Sequence, residues 1–373
     1  MPGQSGRVFV AVALAVVVAV AGYGLYAYAS GTTNGGEPTL VVYSYPSLFS
    51  GTNDTAAVFQ TVFGGFEASH HVHIDVEYPP GTLVGTLLAE QNAPNADLVI
   101  GLDEVTAPQA ERYGLLVPYA PPALADVPTN LTDEIAPDDS VVPYEWGYLA
   151  IDYNDTFYNA THGAVANLSF DAIAANRTWA SNLLVEDPTV DITGEEFLLW
   201  EMEFQEHVAH QNWTTFWQAV DPHLQVANDW GTAFDEFSTP PDPPGMVVSY
   251  ASDPAYEAYY NSTPTFGSTV AHANGTAYGW KSIYGIGIVA GTRHLTLDEE
   301  FENWFLSGTV QSEIPTNEWE YPANDTTALP PEYAAALPPS GITPLNGDVT
   351  PASVAANLTT WLDEWQTIDN NAA

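Results

Sequence analysis

The residues best suited to do chemistry in this sequence are aromatic. It holds 11 Trp, 20 Tyr and 15 Phe. Several stand at turns or at the ends of β-rich runs rather than on the apolar face of a helix. Tyr45 and Tyr250 close such runs, Trp230 follows Asn228-Asp229 and precedes Gly231, Tyr256 follows Asp253-Pro254, and Trp319 follows Pro315-Thr316-Asn317. Taken singly, each also reads as a core residue. As a set they suit a cationic, ring-shaped ligand, because a desolvated cation over an aromatic face gains about 0.5–2 kcal/mol. Open α/β sheets bind their ligands beyond strand ends, where these rings would stand.

Other constellations are weaker. His70, His71 and His73 crowd one stretch, but no second cluster stands at the spacing of a zinc site, so they read as a solvated loop. Glu206, His207 and His210 fall on a helical stretch and read as its polar face. Paired phenols such as Tyr259-Tyr260 can ligate ferric iron, yet Asn261 beside them opens an N-x-S/T sequon, and a glycan would sit awkwardly at a buried metal. The chain has no Gly-rich phosphate loop, no G-x-S-x-G elbow and no H-E-x-x-H helix. No catalytic residue, metal or cofactor is expected.

The aromatic positions need strand ends to stand on. Residues 39–45 are a β-branched and aromatic run, 54–68 place Val58, Val62, Phe63 and Phe66 at helical spacing, 73–78 alternate, 82–91 are amphipathic, and 96–102 read as a buried strand. Strand, helix, strand in that order gives βαβ units and a parallel sheet with helices on its faces. Residues 141–153 and 282–290 read as long strands able to serve two lobes. Between them come helices at 195–208 and 213–219, a Pro-rich turn at 240–244 and a strand at 246–250; helices return at 298–306 and 351–365. The α/β chain therefore divides into lobe 1 over 39–146, lobe 2 over 147–285 and the completion of lobe 1 over 286–373.

Composition narrows the setting. A chain of 373 residues, 46% of them hydrophobic, can fill the cores of two compact units. Its 47 acidic and 5 basic residues give a net charge of -42. Such a surface repels phosphate backbones, which argues against nucleic acid as a partner, and concentrates cationic solutes. Without cysteine there is no disulfide, thiolate site or lipidated N-terminal cysteine.

Residues 8–29 form a 22-position apolar run behind Arg7, long enough to span a membrane and flanked so that the rest lies outside. Ala27-Tyr28-Ala29 also has the form of a signal-peptide cleavage site. The length of the run favours a retained anchor; both readings imply export, with 31–38 a flexible linker. Eleven of 21 asparagines open sequons (Asn53, Asn130, Asn154, Asn159, Asn167, Asn176, Asn212, Asn261, Asn274, Asn324 and Asn357), which reads as a glycosylated exterior.

Seven stretches carry a resemblance: VVYSYPS (41–47), ADLVIGLDEV (96–105), VPYEWGYLAIDYN (142–154), EDP with FLLWEM (186–202), VVSYASDPAY (247–256), IPTNEWEYP (314–322) and the ending ITPLNGDVTPASVAANLTTWLDEW. In order and spacing, over about 39–365, the chain resembles the periplasmic thiamine-binding proteins, of the class that includes iron and polyamine binders. The resemblance implies a type II periplasmic-binding fold whose ligand lies between two lobes joined by crossing strands. It places Tyr45, Trp230, Tyr250, Tyr256 and Trp319 around the ligand.

The departures bear on polar contacts. Pro46 and Pro80 stand where the family commonly has acidic residues, and the loop that contacts a ligand phosphate reads Thr189-Val190-Asp191-Ile192-Thr193-Gly194. A carboxylate at Asp191 repels a phosphate and can pair with a cation.

By the same resemblance the protein is a solute-binding component of an ABC importer, monomeric and not an enzyme, at the outer face of the cell membrane or secreted. Its partners would be a small cationic, thiamine-like solute, a permease and that permease's ATPase. The alternatives are a ferric-iron or polyamine binder of the same fold, or an exported enzyme on that scaffold. A thiamine-degrading enzyme would need a nucleophile such as cysteine, which the chain lacks.

Overall fold

The helix Thr55–His70 shows how local sequence becomes structure here. Asp54 caps it by accepting a hydrogen bond from the Ala57 N–H, its apolar face buries Val58, Phe59, Val62, Phe63 and Phe66, and His71 ends it in the left-handed region at φ 54°. This is a computed structural model that describes residues 37–372 other than 53, 240 and 263. The expected anchor or signal helix at 8–29 lies outside the described residues. Among the described residues no helix is long and apolar enough to cross a membrane.

The strands in chain order are β1 (Thr39–Tyr43), β2 (His73–Glu77), β3 (Leu98–Leu102), β4 (Leu116–Val117), β5 (Val142–Asn154), β6 (Leu183–Glu186), β7 (Gln225–Ala227), β8 (Met246–Tyr250), β9 (Phe266–Thr269), β10 (Ala271–Ala273), β11 (Thr276–Val289), β12 (Tyr321–Pro322) and β13 (Ile342–Pro344). Their main order across the sheet is β2-β1-β3-β11-β5-β8-β6-β7. One half is parallel around β1, the other parallel around β6. The long strands β5 and β11 run between the halves, antiparallel to each other and to the inner strand of each half.

These two strands carry the chain from one core to another. Strand β5 gives Val142 and Tyr144 to the first core and Leu149, Ala150 and Ile151 to the second, while β11 gives Ile283, Ile286 and Ile288 to the first and Trp280 to the second. At the crossover Ser282 pairs with Gly147 and Ile283 with Trp146. Strand β11 begins at Thr276, ahead of the expected 282, because residues 276–278 form a hairpin with β10 and Trp280 and Lys281 already pair with β5.

The closing helix, Pro351–Ala372, differs from expectation. Expected within the completion of lobe 1, it buries Val354, Leu358 and Trp365 in the second core, with Trp365 edge-on to Trp217 at 5.8 Å. Those residues share one helical face, and a face alone does not name the surface it covers. Arg112 of the first half donates to the Ala355 carbonyl and ties the helix to both halves.

The sequons differ in accessibility. Asn130, Asn159, Asn167, Asn176, Asn212, Asn261, Asn274 and Asn357 are exposed, and Asn154 is half-buried as a helix cap. Asn324 is only 5% exposed, its side-chain oxygen accepting hydrogen bonds from the Thr326 N–H and hydroxyl.

Candidate functional site

Tyr45 lies two residues beyond β1, at the parallel end of the first half. Gly101 in β3 has φ +103°, and a Cβ there would overlap the Tyr45 ring, so glycine lets the phenol lie across the strand end. The ring stands 6.0 Å from Tyr284 of β11. The Tyr284 hydroxyl is 2.7 Å from that of Tyr250, the last residue of β8. Tyr250 meets Trp230 at 6.2 Å, Trp230 stacks on Phe234 at 5.3 Å, Phe234 meets Tyr256 at 6.1 Å, and Tyr256 meets Trp319 at 5.5 Å. Glu318, beside Trp319, accepts a hydrogen bond from the Tyr45 hydroxyl at 3.4 Å and closes the circuit.

All five aromatic positions picked from the sequence therefore lie on one path of contacts that spans both halves. Tyr284 and Phe234 complete it and were not singled out. Tyr284 is hidden inside the run SIYGIGIVA, which reads only as a strand; Phe234 lies one helical turn after Trp230, a spacing that could have flagged it.

Trp319 is 3% exposed, with backbone φ +62°. Its indole N–H donates to the Gly51 carbonyl at 2.7 Å, and the Tyr260 hydroxyl donates to the same carbonyl at 3.2 Å. A Cβ on Gly51 would come within 2.6 Å of the indole. Trp230 is held from its indole N–H, which donates to Ser249 Oγ at 2.9 Å. Ser252 beyond β8 donates to Glu320 Oε1 at 3.3 Å.

Carboxyls back the rings. Glu145 of β5 accepts from the Tyr45 hydroxyl at 3.4 Å, and burial pushes it up to about 8. Burial, reinforced by neighbouring carboxylates, also raises Glu318 and Glu320.

Asp191 occupies a particular place. One of its oxygens accepts from the Gly194 N–H at 3.2 Å, capping the helix Ile192–Glu203, and the other accepts from the Trp230 N–H at 3.3 Å, at the first residue of the helix Trp230–Ser238. Burial pushes Asp191 up to about 6 against the pull of these donors. Its carboxyl thus stands where two helix starts would otherwise meet an external anion. The basic residues among those described are elsewhere. Lys281 pairs with Glu134 at 2.7 Å, Arg112 donates to the Ala355 carbonyl, and Arg177 and Arg293 are exposed.

The metal-like stretches are occupied otherwise. His70 stacks on Phe66 at 3.8 Å, His73 contacts Glu67 at 2.9 Å, and His207 contacts Glu203 at 2.7 Å. Among the described residues no group of His, Cys, Asp or Glu could hold a metal ion.

No protein-family model matches the chain. It is 26% identical over 333 residues to the thiamine-binding periplasmic protein of Escherichia coli K12, covering 88% of this chain and 93% of that one. The protein of the same description from Brucella suis is 26% identical, covering 88% and 91%. Among solved structures, a periplasmic thiamin-binding protein superposes with a TM-score of 0.71 at 22% identity, covering 89% of this chain and 96% of that one. Iron-bound HitA of Pseudomonas aeruginosa superposes with a TM-score of 0.68 at 14% identity, covering 90% and 99%. The chain is thus similar over its described length to the thiamine-binding periplasmic proteins, and its fold is that of the periplasmic binding proteins.

Proposed function

We propose that this protein is an extracytoplasmic solute-binding component of an ABC importer, and that it takes unphosphorylated thiamine or a closely related cationic heterocycle. The observation that carries the reading is the ring circuit Tyr45, Tyr284, Tyr250, Trp230, Phe234, Tyr256, Trp319, drawn from both halves and backed by carboxyls. A thiazolium has a fixed positive charge, which aromatic faces attract and which no proton loss removes. Tyr45, Trp230, Tyr250, Tyr256 and Trp319 are the ligand contacts in this reading. Asp191 acts beside them by filling the anion position at the two helix starts.

A phosphate would meet that carboxyl with no lysine or arginine among the described residues placed to balance it. Calorimetric titration of the full chain with thiamine and its mono- and diphosphates tests the reading. Thiamine is expected to bind most tightly; tighter binding of the diphosphate defeats it.

The similar proteins are binding proteins by description, and the absence of cysteine weighs against a thiamine-cleaving enzyme. Delivery to a permease and its ATPase, a monomeric state, an N-terminal membrane anchor and glycosylation at the exposed sequons complete the proposal. The lobes are taken as 39–146 with 286–373, and 147–285, with the closing helix seated on the second.

A further inference from the structure

Four carboxyls gather beside the ring circuit without a cation. Asp103 and Glu104 come from the turn after β3, Glu195 comes from the first turn of the helix Ile192–Glu203, and Glu196 directly follows that turn. Thr193 of that same turn has its hydroxyl 3.2 Å from the Tyr250 hydroxyl, and Asp103 and Glu196 both act electrostatically on Tyr284, so the cluster borders the circuit.

The neighbours use only part of the acceptor capacity. Glu104 accepts from the Trp280 indole at 2.5 Å, from the Ile283 N–H at 2.9 Å and from Asn346 at 3.5 Å. Glu196 accepts from Ser282 at 2.6 Å, next to the Ile283 whose N–H binds Glu104, and burial with Glu104 beside it raises Glu196 well above the usual carboxylate range. Asp103 folds one oxygen back on its own turn, accepting from Val105 and Thr106.

The remaining oxygens, Asp103 Oδ2, Glu195 Oε2 and Glu196 Oε2, are buried and unbonded. Glu195 is 8% exposed, makes no side-chain hydrogen bond, and faces Asp103, the first of the charges acting on it. A buried carboxyl without a partner is unfavourable, and one can be satisfied by an N–H cation.

We propose that Asp103, Glu104, Glu195 and Glu196 form a second subsite of the cleft, which receives an N–H donor of the solute, either a protonated amine or the amino group of a heterocycle, while the rings hold its aromatic part. The inference rests on the proposed ligand site but not on thiamine being the ligand. An amino-heterocycle or an alkylammonium fits the subsite. Burial raises both Glu104 and Glu196, so a proton held on this pair leaves to solvent as the N–H group enters.

The test uses the full chain and its Glu195→Gln/Glu196→Gln variant, with three probes: thiamine, oxythiamine (the 4′-amino group replaced by oxygen) and spermidine. For thiamine and spermidine the variant is expected to lose at least about tenfold in affinity, and for oxythiamine less than about threefold. Calorimetry in two buffers of different ionisation enthalpy should show proton release on thiamine binding to the wild type and less to the variant. Unchanged affinity for both amines, or an equal loss for oxythiamine, overturns the subsite and leaves the thiamine reading standing. Binding of spermidine but not thiamine by the wild type overturns thiamine as ligand and keeps the subsite. Failure of all three probes overturns both. Should the double variant not fold, Glu195→Gln alone serves, because its carboxyl holds no hydrogen bond in the fold.

Discussion

At the scale of single residues, the site separates ring from hydroxyl and charge from shape. Tyr250→Phe keeps the ring and removes only the hydroxyl's bonds to Tyr284 and Thr193, so the affinity for thiamine should stay within about threefold. Tyr250→Ala removes a face of the circuit and should weaken binding by at least about tenfold, or about 1.4 kcal/mol, by calorimetry. Asp191→Asn keeps the oxygen that caps Ile192–Glu203 but discards the charge and the acceptor for the Trp230 N–H; it should narrow the preference for thiamine over its monophosphate by about tenfold and cost about 1 kcal/mol of stability.

Five rings of the circuit could be picked from the sequence because each reads there as standing at a turn or strand end, although Trp230 opens the helix Trp230–Ser238 and Tyr256 lies within the helix Asp253–Asn261. The carboxyls could not. Among 47 acidic residues, Glu195 and Glu196 look like the solvated start of a helix, and only the surrounding burial sets them apart.

At the scale of elements, position follows from backbone as much as from side chain. Gly101→Ala places a Cβ against the Tyr45 ring at φ +103° and should cost about 1–3 kcal/mol in the unfolding midpoint. If Gly101 serves the site through Tyr45, then Gly101→Ala/Tyr45→Ala should bind thiamine no more weakly than Tyr45→Ala alone.

Period-two and period-3.6 patterns exposed most of β1, β2, β3, β5 and β8 and the helices between them. They missed the start of β11, since TAYGWK lacks the β-branched run of the stretch that follows. The closing helix shows a second limit. Its apolar face is visible, but whether Val354, Leu358 and Trp365 meet the first or the second core depends on where the whole chain brings them.

At the scale of the molecule, buried acids set the response to pH. Glu145 stands near 8 and Asp191 and Asp253 near 6, above the usual carboxylate values near 4. The folded state therefore keeps protons that the unfolded chain has released. This contribution is fully present below the unfolded values and is lost as pH rises through the folded ones. The ligand-free midpoint should fall between about pH 5 and 8 even in about 1 M NaCl, where surface repulsion is screened. Thiamine affinity should rise over the same span, as the carboxyls that face the cation ionise. A flat ligand-free midpoint under those conditions counts against the buried acids as its source.

Buried Asn324 has a consequence for how the chain is made. Its sequon is open to a glycosyltransferase only while the polypeptide is extended, and a sugar attached then would wedge apart the turn in which its side-chain oxygen holds Thr326. If the exposed sequons carry glycans as proposed, maturation becomes a race in which this turn must form before the enzyme arrives. An unmodified Asn324 peptide, next to occupied exposed sequons, would mark the molecules that won it.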